Sequence, residues 1–205
     1  MQISMQIDRA VVIIKTGGIV VFPTDTVYGL GADIFNREAV DRIYEVKQRP
    51  CHLPLPVLLA DMEQIAYVAE EVSEVALTLM KHFWPGGLTL VLHKAASVPD
   101  NVTAGSDKVA VRIPDHIVPL TIIRKLEVPI VGTSANISDE PSIVRGREVK
   151  AKMGNMVDFV VDGGDCPGGL ESTVVDMTGE IPVVLRQGIV REDEIKRLCP
   201  NMLGR

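Results

Sequence analysis

Short, wholly apolar runs alternate along the chain with amphipathic stretches, a rhythm that predicts strands and helices in turn. Ile7, Val11 and Ile14 mark a first helix that stops at Gly17-Gly18, where a left-handed residue can end it. Ile19 to Phe22 reads as a strand covered on both faces, and Pro23, lacking an N–H, ends its ladder. The chain then exposes Thr24, Asp25 and Thr26. Gly29 and Gly31 bracket Leu30 in a hydroxyl-bearing loop, where they permit backbone angles or close approaches that a Cβ would block. Asn36 is placed to cap a helix in which Val40, Ile43, Tyr44 and Lys47 fall on one face. Arg49 lies just past its last turn, and Pro50 forbids continuation.

Further along, Pro54 and Pro56 demote Leu53 to Leu59 to an irregular or edge strand. Asp61 and Gln64 form a capping-box pattern for a helix running to Glu70 or Glu71. Ser73 caps another, with Val75, Leu79 and Phe83 on one stripe, ended by Trp84 to Gly87. Leu88 to His93 alternates as a strand. From Lys108 to Ile113 the parity is cleaner: Val109, Val111 and Ile113 face one way, Lys108, Ala110 and Arg112 the other. Asp115 caps a helix from about His116 to Leu126, and Ile130 to Gly132 is a short buried strand. Thr133 to Ser142 is rich in turns, with Ser134, Asn136, Ser138 and Ser142 exposed for hydrogen bonding. Val157 to Asp162, Ser172 to Met177 and Pro182 to Arg186 read as late strands, the last two joined at Thr178-Gly179-Glu180, and Glu192 to Leu198 as a closing helix. Strands and helices interleave without a strict βαβ rhythm, and the late hairpin must be antiparallel. The pattern therefore predicts an α/β fold: a twisted mixed β-sheet with helices packed on it and an open cleft at the strand ends.

Composition narrows the function classes. The 205 residues, 46% of them hydrophobic, suffice for one core and one domain, 1–205. With 21 Lys and Arg against 27 Asp and Glu the net charge is −6, so any anion site is local. An aromatic content of 4% argues against a base-stacking platform, which leaves an RNA-binding module of the same fold as the second reading. Cys51, Cys166 and Cys199 have neither metal nor redox spacing and point to a reducing, cytoplasmic compartment; the histidines are scattered, so no protein-built metal site is expected. No signal or membrane-length apolar run is present in this sequence. It also has no GxxxxGK[ST], no third glycine after Gly29-Leu30-Gly31, and no GxSxG elbow.

What remains is a set of cations and hydroxyls at the ends of elements: Lys47, Arg49, Arg112, Arg186, Ser134 to Asn136, and Ser172-Thr173. Lysine and arginine at a helix end serve the helix dipole as readily as a ligand. A lone arginine is ordinarily a solvated charge, and a turn hydroxyl ordinarily bonds its own backbone.

The run from Pro23 to Gly31 (PTDTVYGLG) and the Lys-x-Arg-Pro of Lys47 to Pro50 resemble the opening signature of the YrdC/Sua5 threonylcarbamoyl-AMP synthases. Further similar blocks recur in order at Trp84 to Thr89, Val109 to Pro114, Ser134 to Ser138, Ser172 to Asp176 and Leu185 to Gly188. The resemblance implies a single YrdC-like domain, in the short form without the additional C-terminal domain of the longer Sua5 type. It implies a nucleotidyltransferase that joins L-threonine, bicarbonate and ATP into threonylcarbamoyl-AMP and pyrophosphate. The product would pass to a downstream threonylcarbamoyl transferase complex for N6-threonylcarbamoyladenosine (t6A) on tRNA; binding of tRNA or other RNA by the chain itself belongs to the second reading. By the same resemblance Thr26, Arg112 and Ser172 hold threonine. Lys47, Arg49, Lys108, Ser134, Asn136, Ser142 and Arg186 face ATP with its Mg²⁺, and Lys47 and Arg49 are the catalytic charges. Gly87, Thr133 and Asp139 depart from the family's usual Pro, Pro and Gly. Leu53 and Leu58 stand where longer members often carry an Asn and a His that touch ATP and threonine. The related carbamoyl-transfer domain of hydrogenase maturation proteins is a third reading, but it sits in long chains with Cys-rich zinc modules.

Overall fold

Helix α1 (Ile3–Lys15) buries Ile7, Ala10, Val11 and Ile14 along one face and gives way at Gly17, whose φ of 84° is left-handed. In this computed structural model, which describes residues 2–204, the outermost positions of the expected 1–205 domain lie outside the described residues. Strand β1 (Val20–Phe22) is buried throughout, as an apolar run in a doubly covered sheet should be. It pairs antiparallel with β2 (Gly29–Asp33). The two glycines therefore belong to a strand and not to a loop. A Cβ on Gly31 would stand 2.6 Å from the Val131 carbonyl oxygen and 2.7 Å from the Phe22 ring, so close approach is the reason for glycine there.

Helix α2 (Arg37–Lys47) starts as expected, with Asn36 Oδ1 accepting from Ala39 N at 3.1 Å, and ends at Gln48 in a left-handed conformation. Strand β3 (Val57–Leu58) is short but not an edge: it lies between β5 (Lys108–Arg112) and β6 (Ile130–Ser134). Pro56 precedes the paired residues and contributes only its carbonyl, which accepts from Gly132 N at 2.9 Å. The Asp61 pattern caps a five-residue 3₁₀ turn, Glu63–Tyr67, rather than a longer helix. Helix α3 (Glu74–Phe83) takes its cap from Ser73 and buries Ala76, Leu79 and Met80, leaving Val75 exposed. Strand β4 (Leu88–His93) is followed by the single turn α4 (Asp100–Thr103), which the sequence pattern did not indicate. Helix α5 (Ile117–Leu126) is capped by the His116 side chain, one residue beyond the expected Asp115.

Helix α6 (Gly146–Met153) is another unanticipated element, its apolar positions reduced to Val149 and Met153 among charges. Strands β7 (Phe159–Val160), β8 (Thr173–Asp176) and β9 (Val183–Arg186) and helix α7 (Glu192–Lys196) complete the chain. Among the described residues one nine-stranded sheet results, in the order β7-β1-β2-β6-β3-β5-β4-β8-β9. β1/β7, β3/β5 and β4/β8 are parallel and the rest antiparallel, which is the mixed sheet expected. Among the described residues no helix is long and apolar enough to cross a membrane.

Candidate active site

A cavity of about 700 Å³ lies over one face of the sheet, between the ends of β3 and β5 with the starts of β4 and β8 on one side, and the end of β6 with the start of β2 on the other. Gly29 pairs with Ser134 at one end of this face and Leu58 with Arg112 at the other, because β3 runs antiparallel to β6 and sets Leu58 beside Ile130. Val91, Ala110, Gly132 and Val174 form a floor on the sheet face. Leu58 packs over Gly132, its Cδ1 lying 2.2 Å from where a Cβ would stand, so this part of the wall is apolar.

At one end of the cleft is Arg112. Strand parity turns it to the face opposite Val109 and Val111, and it is buried. Its Nε donates to Gly86 O (2.8 Å), its Nη1 to Thr26 Oγ1 (3.0 Å) and its Nη2 to Asp25 Oδ1 (2.6 Å). Thr26 in turn meets Thr24 Oγ1 at 3.0 Å, and both threonines are buried instead of exposed. Burial pulls the Arg112 pKa down and Asp25 opposes that pull. A guanidinium carries five N–H groups, so these contacts leave one on each Nη, a pair suited to a carboxylate.

At the other end, Lys47 is buried at the foot of α2. Its ammonium donates to Ser134 O (2.6 Å), Asn136 O (2.8 Å) and Asn136 Oδ1 (3.1 Å). Burial, then the neighbouring Arg49, lowers its pKa to about 8, with Glu171 acting in the other direction. Arg49 donates through Nε to Leu53 O (3.2 Å) and through Nη2 to Pro54 O (2.9 Å). Arg186 donates to Ser172 O through Nε (3.1 Å) and Nη2 (3.0 Å), to Ser172 Oγ (3.2 Å), and through Nη1 to Glu171. Thr89 Oγ1 donates to Ser172 Oγ at 2.8 Å.

Of the residues singled out in the sequence, Thr26, Lys47, Arg49, Arg112, Ser134, Asn136, Ser172 and Arg186 all line this one cavity. Asn136 is buried rather than exposed, because its side chain accepts from Lys47 and donates to Glu140 O at 2.6 Å. Ser142 stands behind the wall, donating to Glu171 Oε1 at 2.5 Å. Lys108 is not in the cavity wall: it lies at the far end of β5 and pairs with Asp176 at 3.0 Å. Two carboxylates went unassigned in the sequence, Asp25 and Glu171. Each sits beside a residue that was singled out, Thr26 and Ser172, and that adjacency was the available signal.

The Sua5/YciO/YrdC family model, described as telomere recombination, matches residues 12–188. Over 185 residues the chain is 45% identical to the threonylcarbamoyl-AMP synthase of Pyrococcus abyssi, covering 90% of this chain and 54% of that one. Over 192 residues it is 43% identical to the threonylcarbamoyl-AMP synthase of Bacillus subtilis, covering 93% and 56%. This chain thus spans about half the length of these two relatives. The crystal structure of P. abyssi Sua5 complexed with L-threonine matches with a TM-score of 0.94 at 43% identity, covering 97% of this chain and 58% of that one.

Proposed function

The chain belongs to the Sua5/YciO/YrdC family, and on that premise we propose that it is a threonylcarbamoyl-AMP synthase, forming threonylcarbamoyl-AMP and pyrophosphate from L-threonine, bicarbonate and ATP. The observation that carries this reading is the division of one cleft into two cationic ends: Arg112 with two unused N–H groups, and Lys47, Arg49 and Arg186 across the floor from it. An amino-acid carboxylate suits the first and a polyphosphate the second. The complex of P. abyssi Sua5 with L-threonine supports the first assignment.

Chemically, the threonine amine and bicarbonate give a carbamate with loss of water. A carbamate oxygen then attacks the α-phosphorus, and the bond to the bridging oxygen breaks to release pyrophosphate. No covalent enzyme nucleophile is needed, so the residues act by position and charge. Arg112, with Thr26 and Ser172 beside it, would hold the threonine. Arg49 and Arg186 would offset the repulsion between carbamate and phosphates. Lys47 would act mainly by fixing the Ser134 to Asn136 segment, since its three donors already end there. Ser142 would act through Glu171, and Lys108 is left without a nucleotide role.

Mg²⁺ fits this donor set only together with ATP. Among the described residues no group of three or more His, Cys, Asp or Glu could hold a metal, whereas Mg²⁺ keeps several waters and needs one or two carboxylates besides substrate phosphates. When bound it would supply charge neutralisation on the phosphates. The free thiols of Cys51, Cys166 and Cys199 support a reducing, cytoplasmic setting, and the labile product would be passed to a threonylcarbamoyl transferase for t6A.

The test is incubation with ATP, Mg²⁺, bicarbonate and each amino acid in turn, with pyrophosphate, phosphate and AMP adducts resolved. Threonine-dependent pyrophosphate with a threonylcarbamoyl-AMP adduct is expected. ADP and orthophosphate as the threonine-dependent products would rule the adenylate mechanism out.

A further inference from the structure

Of the three arginines that would meet anions in the cleft, Arg112 and Arg186 each carry a carboxylate of the protein itself, but the two are not equivalent. Arg112 keeps an N–H on each Nη after bonding Gly86, Thr26 and Asp25, so a substrate carboxylate can join without displacing Asp25. Arg186 is bound more closely by its own neighbours. Ser172 takes its Nε and Nη2, and Glu171 takes Nη1, leaving at most one or two N–H groups for a ligand. Glu171 lines the cavity and is held from two sides, by Arg186 at Oε2 and by Ser142 Oγ at Oε1. Burial favours its neutral form, but the Ser142 hydrogen bond and the charge of Arg186, helped by Ser134 and Lys47, outweigh that and hold its pKa below the usual glutamate value. Glu171 is thus a fixed negative charge among the cations of the phosphate end. Its lowered pKa also makes it a poor base for the threonine ammonium at neutral pH.

We propose that Glu171 makes the phosphate end of the cleft selective for a polyphosphate that carries a divalent cation over the bare polyanion. The inference rests on the reading of this cleft as an ATP site. A bare triphosphate approaching Arg186 meets Glu171 as a like charge in a partly desolvated cavity, where such repulsion is weakly screened. A divalent cation on the phosphates reverses the sign of that encounter, because an oxygen of a single carboxylate is the kind of protein ligand Mg²⁺ accepts beside phosphates. Glu171 is on this account a specificity-determining residue, and the reacting atoms do not involve it.

Calorimetric titration with ATP, in Mg²⁺ and in EDTA, separates the possibilities for wild type, Glu171→Gln and Glu171→Ala, with circular dichroism confirming each fold. Wild type should bind ATP well only with Mg²⁺. Both variants should bind metal-free ATP more tightly than wild type, on the order of ten-fold, and their Mg²⁺ dependence should shrink by a like factor. The same Mg²⁺ dependence in wild type and in a folded variant overturns the role of Glu171 and leaves the ATP reading standing. Absence of ATP binding by wild type in both conditions overturns the ATP reading and this proposal with it.

Discussion

Lys47 directs all three of its N–H donors to oxygens of Ser134 and Asn136, so it works first as a clamp between α2 and the segment after β6. Its position was legible in the sequence, because the helical spacing put it on the apolar face of α2. Its partners were not, since they lie some ninety residues further along the chain. The same limit hid Asp25, whose arginine lies 87 residues on, while Glu171 is only 15 residues from Arg186 but, like Asp25, reads as solvent-facing until folding puts an arginine against it. Lys47 also carries a pH signature. Burial and Arg49 lower its pKa to about 8, so between about pH 8 and the ordinary lysine value of 10.5 the unfolded chain holds a proton that the folded protein has released. By linkage this group adds stability as pH rises through that window, and the contribution is lost as pH falls through about 8. Anion binding moves the opposite way, because the ammonium is part of the positive end of the cleft. ATP affinity should therefore fall as pH rises through about 8 in wild type, and Lys47→Arg should flatten that limb. An unchanged alkaline limb in a folded Lys47→Arg protein, read by calorimetry, would assign the titration to another group.

At the scale of elements, the signals that held were local ones. Asn36 and Ser73 cap the helices they were expected to cap, and the alternation from Lys108 to Arg112 put Arg112 on the cleft face. The signals that misled were residues with two meanings. Glycine marks turns, yet Gly29 and Gly31 sit in β2 because the Phe22 ring from β1 lies across them. Proline marks edges, yet Pro54 and Pro56 lead into a central strand because only the two residues after them need ladder donors. Helix α6 escaped notice because little of its surface is apolar, so its placement depends on contacts made elsewhere in the chain. The β2 case can be tested directly. In Gly31→Ala the new methyl would meet the Val131 carbonyl, a backbone atom that cannot rotate away, and the Phe22 ring. A loss of about 1–3 kcal/mol in denaturant-unfolding stability is expected, as for other overpacked sites. A variant as stable as wild type would mean that β2 and β6 separate more readily than this packing implies.

The whole molecule is organised so that the site exists only when distant parts of the chain meet. Thr26 precedes β2, Lys47 ends α2, Arg112 ends β5, Ser134 ends β6, and Ser172 and Arg186 frame the hairpin of β8 and β9. The sequence indicated a mixed sheet but not its order, because local pattern does not reveal that β6 inserts between β2 and β3. One consequence is thermodynamic. A ligand that bridges the cleft ties both halves of the nine-stranded sheet to a single equilibrium, so it should stabilise the chain as a unit. At about 100 times its Kd, ATP with Mg²⁺ should add about 2.7 kcal/mol to global unfolding. For a chain of 205 residues, at roughly 2–4 °C per kcal/mol, that is a rise in Tm of about 5–10 °C. Differential scanning calorimetry should show one transition that moves intact, and hydrogen exchange should slow in β1 and β9 alike although they lie at opposite sides of the sheet. Two transitions, with only one shifted by ATP, would divide the chain into units that unfold separately and would contradict the single 1–205 domain.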